Sequence, residues 1–205
     1  MTGPLSATRQ PAVESADRIP AGLTVLGSAR WPAETDPDGP TGALPRLPGF
    51  IESTFSPLVA AVADECLSGR YGAAPLADGE RVAVLLATVR GDMSIARAIA
   101  ATVDAGRRMS PLLFFQSVAN AVLGHVAARW GLGGPVLCVS PVGEPYDDAM
   151  GLAASLVDTG EADAVLVMFV EQSWTPDERD RASAFLVAAG DPGGPDRHDN
   201  QGDRL

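Results

Sequence analysis

The stretch that decides the fold runs from Ser110 to Ser140 and reads SPLLFFQSVANAVLGHVAARWGLGGPVLCVS. Its first two residues predict a helix start, because serine caps free backbone amides and proline suits the first helical position. Gly131 is a typical helix stop, and the apolar segment at 136–140 is rich in strand-forming residues. Between start and stop, apolar residues recur at every fourth position: Phe114, Val118, Val122, Val126 and Trp130. The stretch therefore predicts a helical segment followed by a strand.

Outward from this stretch, short apolar runs alternate with helical segments. Val82–Val89 is continuous and β-rich, which is typical of a strand buried on both faces of a sheet. The other predicted strands are Leu23–Gly27, Ala164–Val170 and Ala184–Ala188. The order β-α-β-α-β-α-β-β predicts an α/β fold, in which helices cover both faces of a five-stranded, mostly parallel sheet.

The composition supports one folded domain. The chain has 205 residues, of which 46% are hydrophobic, and this is enough for a core within residues 21–190. Residues 1–20 and 191–205 lack apolar periodicity, so we predict a disordered leader and a disordered tail there. No apolar run approaches the roughly 20 residues that a membrane helix needs, and we expect no membrane span.

Charge and ligand residues exclude several classes of function. Lys and Arg total 15 against 26 Asp and Glu, and the net charge of -11 disfavours nucleic-acid binding because it repels phosphates. Two cysteines, Cys66 and Cys138, and two histidines are too few for a disulfide framework or a transition-metal site. We therefore expect no metal, no cofactor and a reducing, cytoplasmic location.

Residues near the end of the third predicted strand are weak candidates for chemistry. Ser140 stands at the strand end, but no activating base is evident beside it. Cys138 lies inside the strand and fits a small buried hydrophobe better than a nucleophile. Asp147 and Asp148 could form a carboxylate pair, yet the first turn of a helix favours acidic residues through its dipole. We favour the structural interpretation of Cys138 and of the Asp147–Asp148 pair.

His125 and Glu171 each allow two interpretations. As a catalytic base, His125 would need a nucleophile and an orienting group close by. The simpler interpretation is an imidazole that bonds to the backbone and so holds its helix to a loop. Glu171, at the end of the fourth predicted strand, could neutralise a charge in the core or be an ordinary strand-end acid.

The quoted stretch resembles the segment that leads to the active site of β-ketoacyl synthases, the condensing enzymes of fatty-acid and polyketide synthesis. The motif elements stand in the family's order: Ser110-Pro111, Asn120, Gly124-His125, Gly131-Leu132 and Gly134-Pro135. Downstream, the sequence GEAD at 160–163 and an apolar strand ending at Glu171 are similar to the family's G-x-A-D strand. The resemblance covers about residues 23–190 and implies a single thiolase-like half-domain.

The same resemblance implies that catalytic parts are missing. The family's nucleophilic cysteine follows the Gly-Pro strand by a fixed interval and sits on a strand-to-helix elbow, here residues 140–148. That interval lands on Gly143, and glycine has no side chain to hold an acyl thioester. The family's second half, which supplies two histidines and a lysine, has no counterpart in this sequence. The chain is thus similar to truncated ketosynthase-like proteins and to chain-length factors.

The resemblance also implies partners. In condensing enzymes the helix after the elbow packs between two halves, so we expect Met150, Leu152 and Leu156 to form an apolar interface here. The family's Gly-Pro strand meets its mate across a dimer axis. We therefore expect a homodimer or a heteromer with a ketosynthase, with an acyl carrier protein as a further candidate partner. The implied role is an accessory or structural subunit in type II polyketide or fatty-acid biosynthesis.

The alternative function is that of a small enzyme that processes acyl thioesters and reuses the elbow. Its candidate residues are Ser140, Glu144, Tyr146 and Asp147. Four further residues of the family's motif are expected to be structural: Asn120, His125, Gly134 and Pro135.

Overall fold

The computed structural model describes most of the chain, at residues 19–32, 44–76, 80–173, 175 and 178–190. The predicted tail and all but the last two residues of the predicted leader lie outside these ranges. The strands are β1 (Leu23–Trp31), β2 (Val82–Ala87), β3 (Val136–Val139), β4 (Ala164–Glu171) and β5 (Arg181–Ala189). The helices are α1 (Phe55–Tyr71), α2 (Met93–Asp104), α3 (Pro111–Gln116), α4 (Asn120–Trp130) and α5 (Pro145–Asp158).

The five strands form one sheet in the order β1-β5-β4-β2-β3. β2 pairs in parallel with both β3 and β4, whereas β5 pairs antiparallel with both β4 and β1. The predicted α/β half-domain is confirmed, but the prediction of a mostly parallel sheet is wrong, because the sheet is mixed. Between β4 and β5 the chain has only residues 172–180, too few for the crossover that a parallel pair requires, so β5 returns antiparallel.

The sheet separates two apolar clusters. All six residues of β2 are buried, as its continuous apolar sequence predicted. On one face, α1 and α4 pack against the sheet through residues such as Leu58, Leu67 and Leu123. On the other face, α5 packs through Tyr146, Met150 and neighbouring alanines. Helices therefore cover both faces, as expected.

The segment after Ser110 forms two helices rather than one. Ser110 caps α3 by accepting a hydrogen bond from the Leu112 amide (3.2 Å). The chain then turns at residues 117–119 before α4 begins. Because of this break, the five apolar residues at four-residue spacing do not lie on one buried face. Val122, Val126 and Trp130 are buried, whereas Phe114 and Val118 are exposed.

The buried apolar residues of α5 face the sheet. Met150 is fully buried in the cluster beneath the helix, and Leu152 and Leu156 are partly buried against it. The outer face carries polar and small residues, among them Asp147, Gly151 and Ser155. The expectation of an apolar interface on α5 is thus corrected for Met150, because the sheet itself occupies that side of the helix. No helix in the described ranges is both long and apolar enough to span a bilayer.

Candidate functional site

The carboxyl ends of the three parallel strands lie side by side in the order β3, β2, β4. The Thr88 amide, just after β2, donates to the carbonyl of Val139 at the end of β3 (3.1 Å). The Thr88 hydroxyl donates to Oε1 of Glu171 at the end of β4 (3.3 Å). In open α/β sheets ligands bind outside the carboxyl ends of the strands, so this edge is the place to look for a site.

Glu171 ties the end of β4 to the segment after β2. Its Oε1 also accepts from the Val89 amide, and its Oε2 lies 3.6 Å from Nε of Arg90. Arg90 in turn places Nη1 3.5 Å from Oε2 of Glu178. The Glu171 carboxylate therefore neutralises a half-buried arginine and holds two strand ends together, which gives it a positioning role at this edge.

Gln172 connects the next layer of the edge. Its side-chain amide is buried and donates to the hydroxyls of Ser53, Thr54 and Ser94, at 3.2, 3.0 and 3.2 Å. Its carbonyl oxygen accepts from the Ser94 backbone amide at 3.2 Å. The loop before α1 and the start of α2 are thereby fixed to the end of β4. No sequence signal marked Gln172, because a single glutamine after a strand has no pattern of its own.

Asp92 completes this polar network at the start of α2. Its Oδ1 caps the helix by accepting from the Ile95 amide (2.9 Å), and it also accepts from the Ser53 hydroxyl (2.7 Å). Burial raises the pKa of the Asp92 carboxyl, and nearby Asp180 adds to the effect. The capping pattern of an aspartate three residues before the amide that it binds could have been found from sequence.

The elbow between β3 and α5 is held by one carboxylate. Oδ2 of Asp148 accepts from the backbone amides of Val142 (3.2 Å) and Gly143 (2.9 Å). The Val142 side chain projects fully into solvent. The two backbone amides at the tip of the turn are therefore already bound by a negative charge of the same chain.

A side chain at Gly143 would be crowded by that carboxylate. A Cβ atom at this position would lie 3.2 Å from Oδ1 and 3.4 Å from Oδ2 of Asp148. The backbone of Gly143 is not in the positive-φ region, so the conformation itself does not require glycine. Any group placed at this point of the elbow would meet the Asp148 carboxylate first.

Comparison with known proteins identifies the fold. No protein-family model matches the sequence, and no curated protein matches it. Solved structures do match. One of them is a ketosynthase in complex with its chain length factor from Xenorhabdus doucetiae, which is 17% identical and has a TM-score of 0.65. The match covers 82% of this chain and 79% of that chain. The chain has a ketosynthase-like, thiolase-type fold.

Two further structures agree with this assignment. The ishigamide ketosynthase/chain length factor matches at 15% identity and a TM-score of 0.64, and covers 82% of this chain and 62% of that one. A β-ketoacyl synthase from Burkholderia phymatum STM815 matches at 14% identity and a TM-score of 0.63, over 82% and 59%. The chain thus spans about three fifths of the length of these two neighbours.

In this ketosynthase-like fold the Gly134-Pro135 pair sets the register of β3 on β2. The Gly134 amide donates to the Val82 carbonyl (3.1 Å), and the Pro135 carbonyl accepts from the Val84 amide (2.8 Å). A Cβ atom on Gly134 would lie 2.6 Å from backbone atoms of β2. The two backbones therefore approach so closely that only glycine fits.

Two other residues of the motif, Asn120 and His125, lie on α4. Asn120 is exposed at the first turn of α4. The rings of His125 and Phe50 pack edge to face, with ring centres 6.3 Å apart. That ring contact joins α4 to the loop before α1, while the expected bond of the His125 imidazole to the backbone stays a prediction.

The candidate nucleophiles and acids of the elbow differ in exposure and in their contacts. Ser140 is exposed, and its hydroxyl makes no hydrogen bond within the described ranges. Glu144 and Asp147 are exposed at the start of α5, and the Glu144 side chain makes no capping hydrogen bond. Tyr146 is buried and stacks on Phe169, with ring centres 5.5 Å apart. The Ser140 hydroxyl therefore has no hydrogen-bonded base among the described residues.

The two thiols are poorly suited to nucleophilic chemistry. Burial raises the pKa of Cys66 to about 12 and also raises the pKa of Cys138. At neutral pH both thiols are protonated, and the thiolate is the reactive form. Among the described residues there is also no group of three or more His, Cys, Asp or Glu side chains that could hold a metal ion.

Proposed function

We propose that this chain is a catalytically incomplete ketosynthase-like protein that acts as an accessory subunit beside a ketosynthase in type II polyketide or fatty-acid biosynthesis. The single observation that carries the proposal is that the elbow between β3 and α5 lacks a nucleophilic side chain at Gly143. The position where the resemblance expects a nucleophilic cysteine is Gly143, and its backbone amide is bound by Asp148.

Acyl transfer needs two things at such an elbow. A nucleophile must attack the acyl carbon, and backbone amides must stabilise the oxyanion that forms. Gly143 supplies no nucleophile. The amides of Val142 and Gly143 donate to the Asp148 carboxylate, so they are not directed at a substrate oxygen. A carboxylate at this place would also repel the developing negative charge.

Association with a larger assembly is supported by two observations. Structural neighbours of the chain include ketosynthases solved together with a chain length factor. In addition, β3 is an edge strand that pairs only with β2 within the described part of the sheet, and Val136 on it is exposed. An open strand edge readily accepts another strand. A heteromer with a ketosynthase is the assembly that we propose, in the cytoplasm, with a homodimer as the competing assembly.

The alternative function, a small acyl-thioester-processing enzyme, has less support. Its candidate Ser140 lacks a hydrogen-bonded base in the described ranges, and Tyr146 is buried against Phe169. A serine hydroxyl without an adjacent base is a poor nucleophile at neutral pH. We therefore place the accessory role first.

The test is a comparison of complex formation with turnover. The chain is co-expressed with the ketosynthases of its source genome, and complexes are isolated by affinity and size-exclusion chromatography. We expect a stable complex in which Gly143→Ala and Glu144→Gln leave both complex formation and the partner's condensation rate within about twofold, since neither residue carries chemistry. Hydrolysis or transfer of acyl thioesters by the isolated chain, lost in these variants, would support the enzyme instead.

A further inference from the structure

Residues 50–54 directly precede α1 and form neither helix nor strand. We call these five residues the connector. Segments without regular structure are usually more mobile than the elements that they join. In this protein, however, each of the five residues is contacted by a side chain of another element. The connector is therefore a bound segment whose two ends can be considered separately.

The first end of the connector is bound by α3. Oε1 of the buried Gln116 accepts from the backbone amides of Ile51 (3.0 Å) and Glu52 (3.2 Å). Within the described ranges neither amide has a backbone acceptor. The ring of Phe50 packs against the ring of Phe115, with centres 5.7 Å apart. One glutamine side chain and one ring contact therefore hold this end to the helix.

The second end of the connector is bound at the carboxyl edge of the sheet. The Ser53 hydroxyl donates to Oδ1 of Asp92 (2.7 Å), the residue that caps α2. The Thr54 hydroxyl donates to Oδ2 of Asp180 (2.9 Å), which directly precedes β5. The side-chain amide of Gln172 donates to both hydroxyls. The start of α2, the end of β4 and the start of β5 therefore bind the same two residues of the connector.

The attachment of α2 depends on the groups that bind this second end. Ile95 is the one buried residue of the helix, so α2 covers little apolar surface. Its first turn is fixed instead by polar bonds, from the Ile95 amide to Asp92 (2.9 Å) and from the Ser94 amide to Gln172 (3.2 Å). Because Asp92 and Gln172 bind α2 and the connector at the same time, a displacement of the connector changes the bonds that hold α2.

We infer that the connector is a conformational relay that couples α3 to the carboxyl edge of the sheet. In the arrangement that the structure shows, Gln116 holds one end and the carboxyl edge holds the other. Release from Gln116 draws Ser53 and Thr54 out of their bonds, and the first turn of α2 opens with them. Any event that displaces Gln116 therefore alters the edge at which open α/β sheets bind ligands. The inference goes beyond the proposed function and does not depend on it.

α2 and α3 also face each other directly, across a groove of about 330 Å³. From α2 the groove is lined within residues 98–102, in the middle and last part of the helix. Ser94 and Ile95, in the first turn, do not line it. A change that passes directly from α3 to α2 should therefore affect residues 98–102, whereas a change that passes through the connector should affect Ser94 and Ile95.

The test is hydrogen exchange of single backbone amides in the full-length chain, followed by NMR. Gln116→Met removes the acceptor oxygen at α3 and keeps the length of the side chain. We expect the Ser94 and Ile95 amides to exchange about fivefold faster or more in this variant, the effect of losing roughly one hydrogen bond. The amides of β2 should keep their rates, because they report on global unfolding. In the reverse direction, Gln172→Met should accelerate exchange of the amides that Gln116 binds.

Two further variants show whether the connector carries the effect. Ser53→Ala combined with Thr54→Val releases the second end, and in that background Gln116→Met should change the Ile95 rate by less than about twofold. Asp64→Ala is the matched control. It breaks a bond between Asp64 and Trp130, 66 positions apart, which compares with 65 positions for Gln116 and Ile51 but does not involve the connector. It should leave the Ile95 rate unchanged.

Each other outcome overturns the inference. Unchanged rates at Ser94 and Ile95 in Gln116→Met would mean that the connector does not couple the two regions. Faster exchange confined to residues 98–102, or an equal effect without the hydroxyls of the connector, would assign the coupling to the direct route. If Gln116→Met also accelerates exchange in β2, Phe115→Ala decides, since it removes only the ring that packs on Phe50. Unchanged Ser94 and Ile95 rates in that variant would again contradict the inference.

Discussion

Replacing Gly134 with alanine should destabilise the protein by about 3 kcal/mol or more, since overpacking against atoms that cannot move is costly. The added Cβ would lie 2.6 Å from the Ala83 nitrogen and 2.6 Å from the Val82 carbonyl carbon. Both are backbone atoms of β2, the interior strand beside β3, so β3 would have to separate from it. Urea unfolding followed by circular dichroism measures the loss, and a sharply reduced soluble yield is the outcome if the variant fails to fold.

The adjacent residue provides a matched control for this prediction. A Cβ atom on Gly133 meets nothing within 4 Å, and its backbone is not in the positive-φ region. Gly133→Ala should therefore change stability by less than about 1 kcal/mol. Equal stabilities of the two variants would show that the close approach of β3 to β2 does not constrain residue 134.

A thiol introduced by Gly143→Cys should react slowly until the charge of Asp148 is removed. The new side chain would start 3.2 Å from the Asp148 carboxylate, which disfavours the thiolate and raises the thiol pKa. Asp148→Asn keeps an acceptor oxygen for the elbow amides but removes the charge. We expect the double variant to react with iodoacetamide at pH 7.5 about threefold to tenfold faster than the single variant. A lower thiol pKa increases the fraction of thiolate and decreases the nucleophilicity of each thiolate, and the first effect is the larger one at this pH.

Asp147→Asn is the control for long-range charge. It removes the same charge one residue away, and Asp148 continues to bind the elbow amides. Combined with Gly143→Cys, it should raise the alkylation rate by less than half as much as Asp148→Asn. Equal rates in the two double variants would mean that Asp148 has no special influence at this position.

The positions of the strands were predictable from their apolar runs, and β2 is the clearest case. The bounds were less so, because β1 continues through polar residues to Trp31, beyond the predicted end at Gly27. The direction of β5 was not predicted, although the short connection at 172–180 was a readable signal. The break at 117–119 was also not predicted, because apolar residues recur at every fourth position on both sides of it. Only those after the break are buried. A periodic pattern records which residues are apolar, but tertiary packing decides which of them are covered.

The candidate site was only partly readable from sequence. The absence of a side chain at Gly143 is a property of the sequence itself. The engagement of its amide by Asp148 depends on the path of the turn, and no local pattern encodes it. The roles of Gln172 and Gln116 arise from contacts with residues 78 to 119 and 64 to 65 positions away, so they needed the fold.

The central claim is that this ketosynthase-like fold carries no acyl group of its own. The direct measurement is intact-protein mass spectrometry after incubation of the wild-type chain with acyl N-acetylcysteamine thioesters, alone and in complex with a ketosynthase. In the covalent step a nucleophile would bond to the acyl carbon, and N-acetylcysteamine would leave as its thiol. We predict that the mass of this chain stays unchanged while the ketosynthase gains the acyl mass. An acyl adduct on this chain, mapped by peptide sequencing to residues 138–148, would contradict the account.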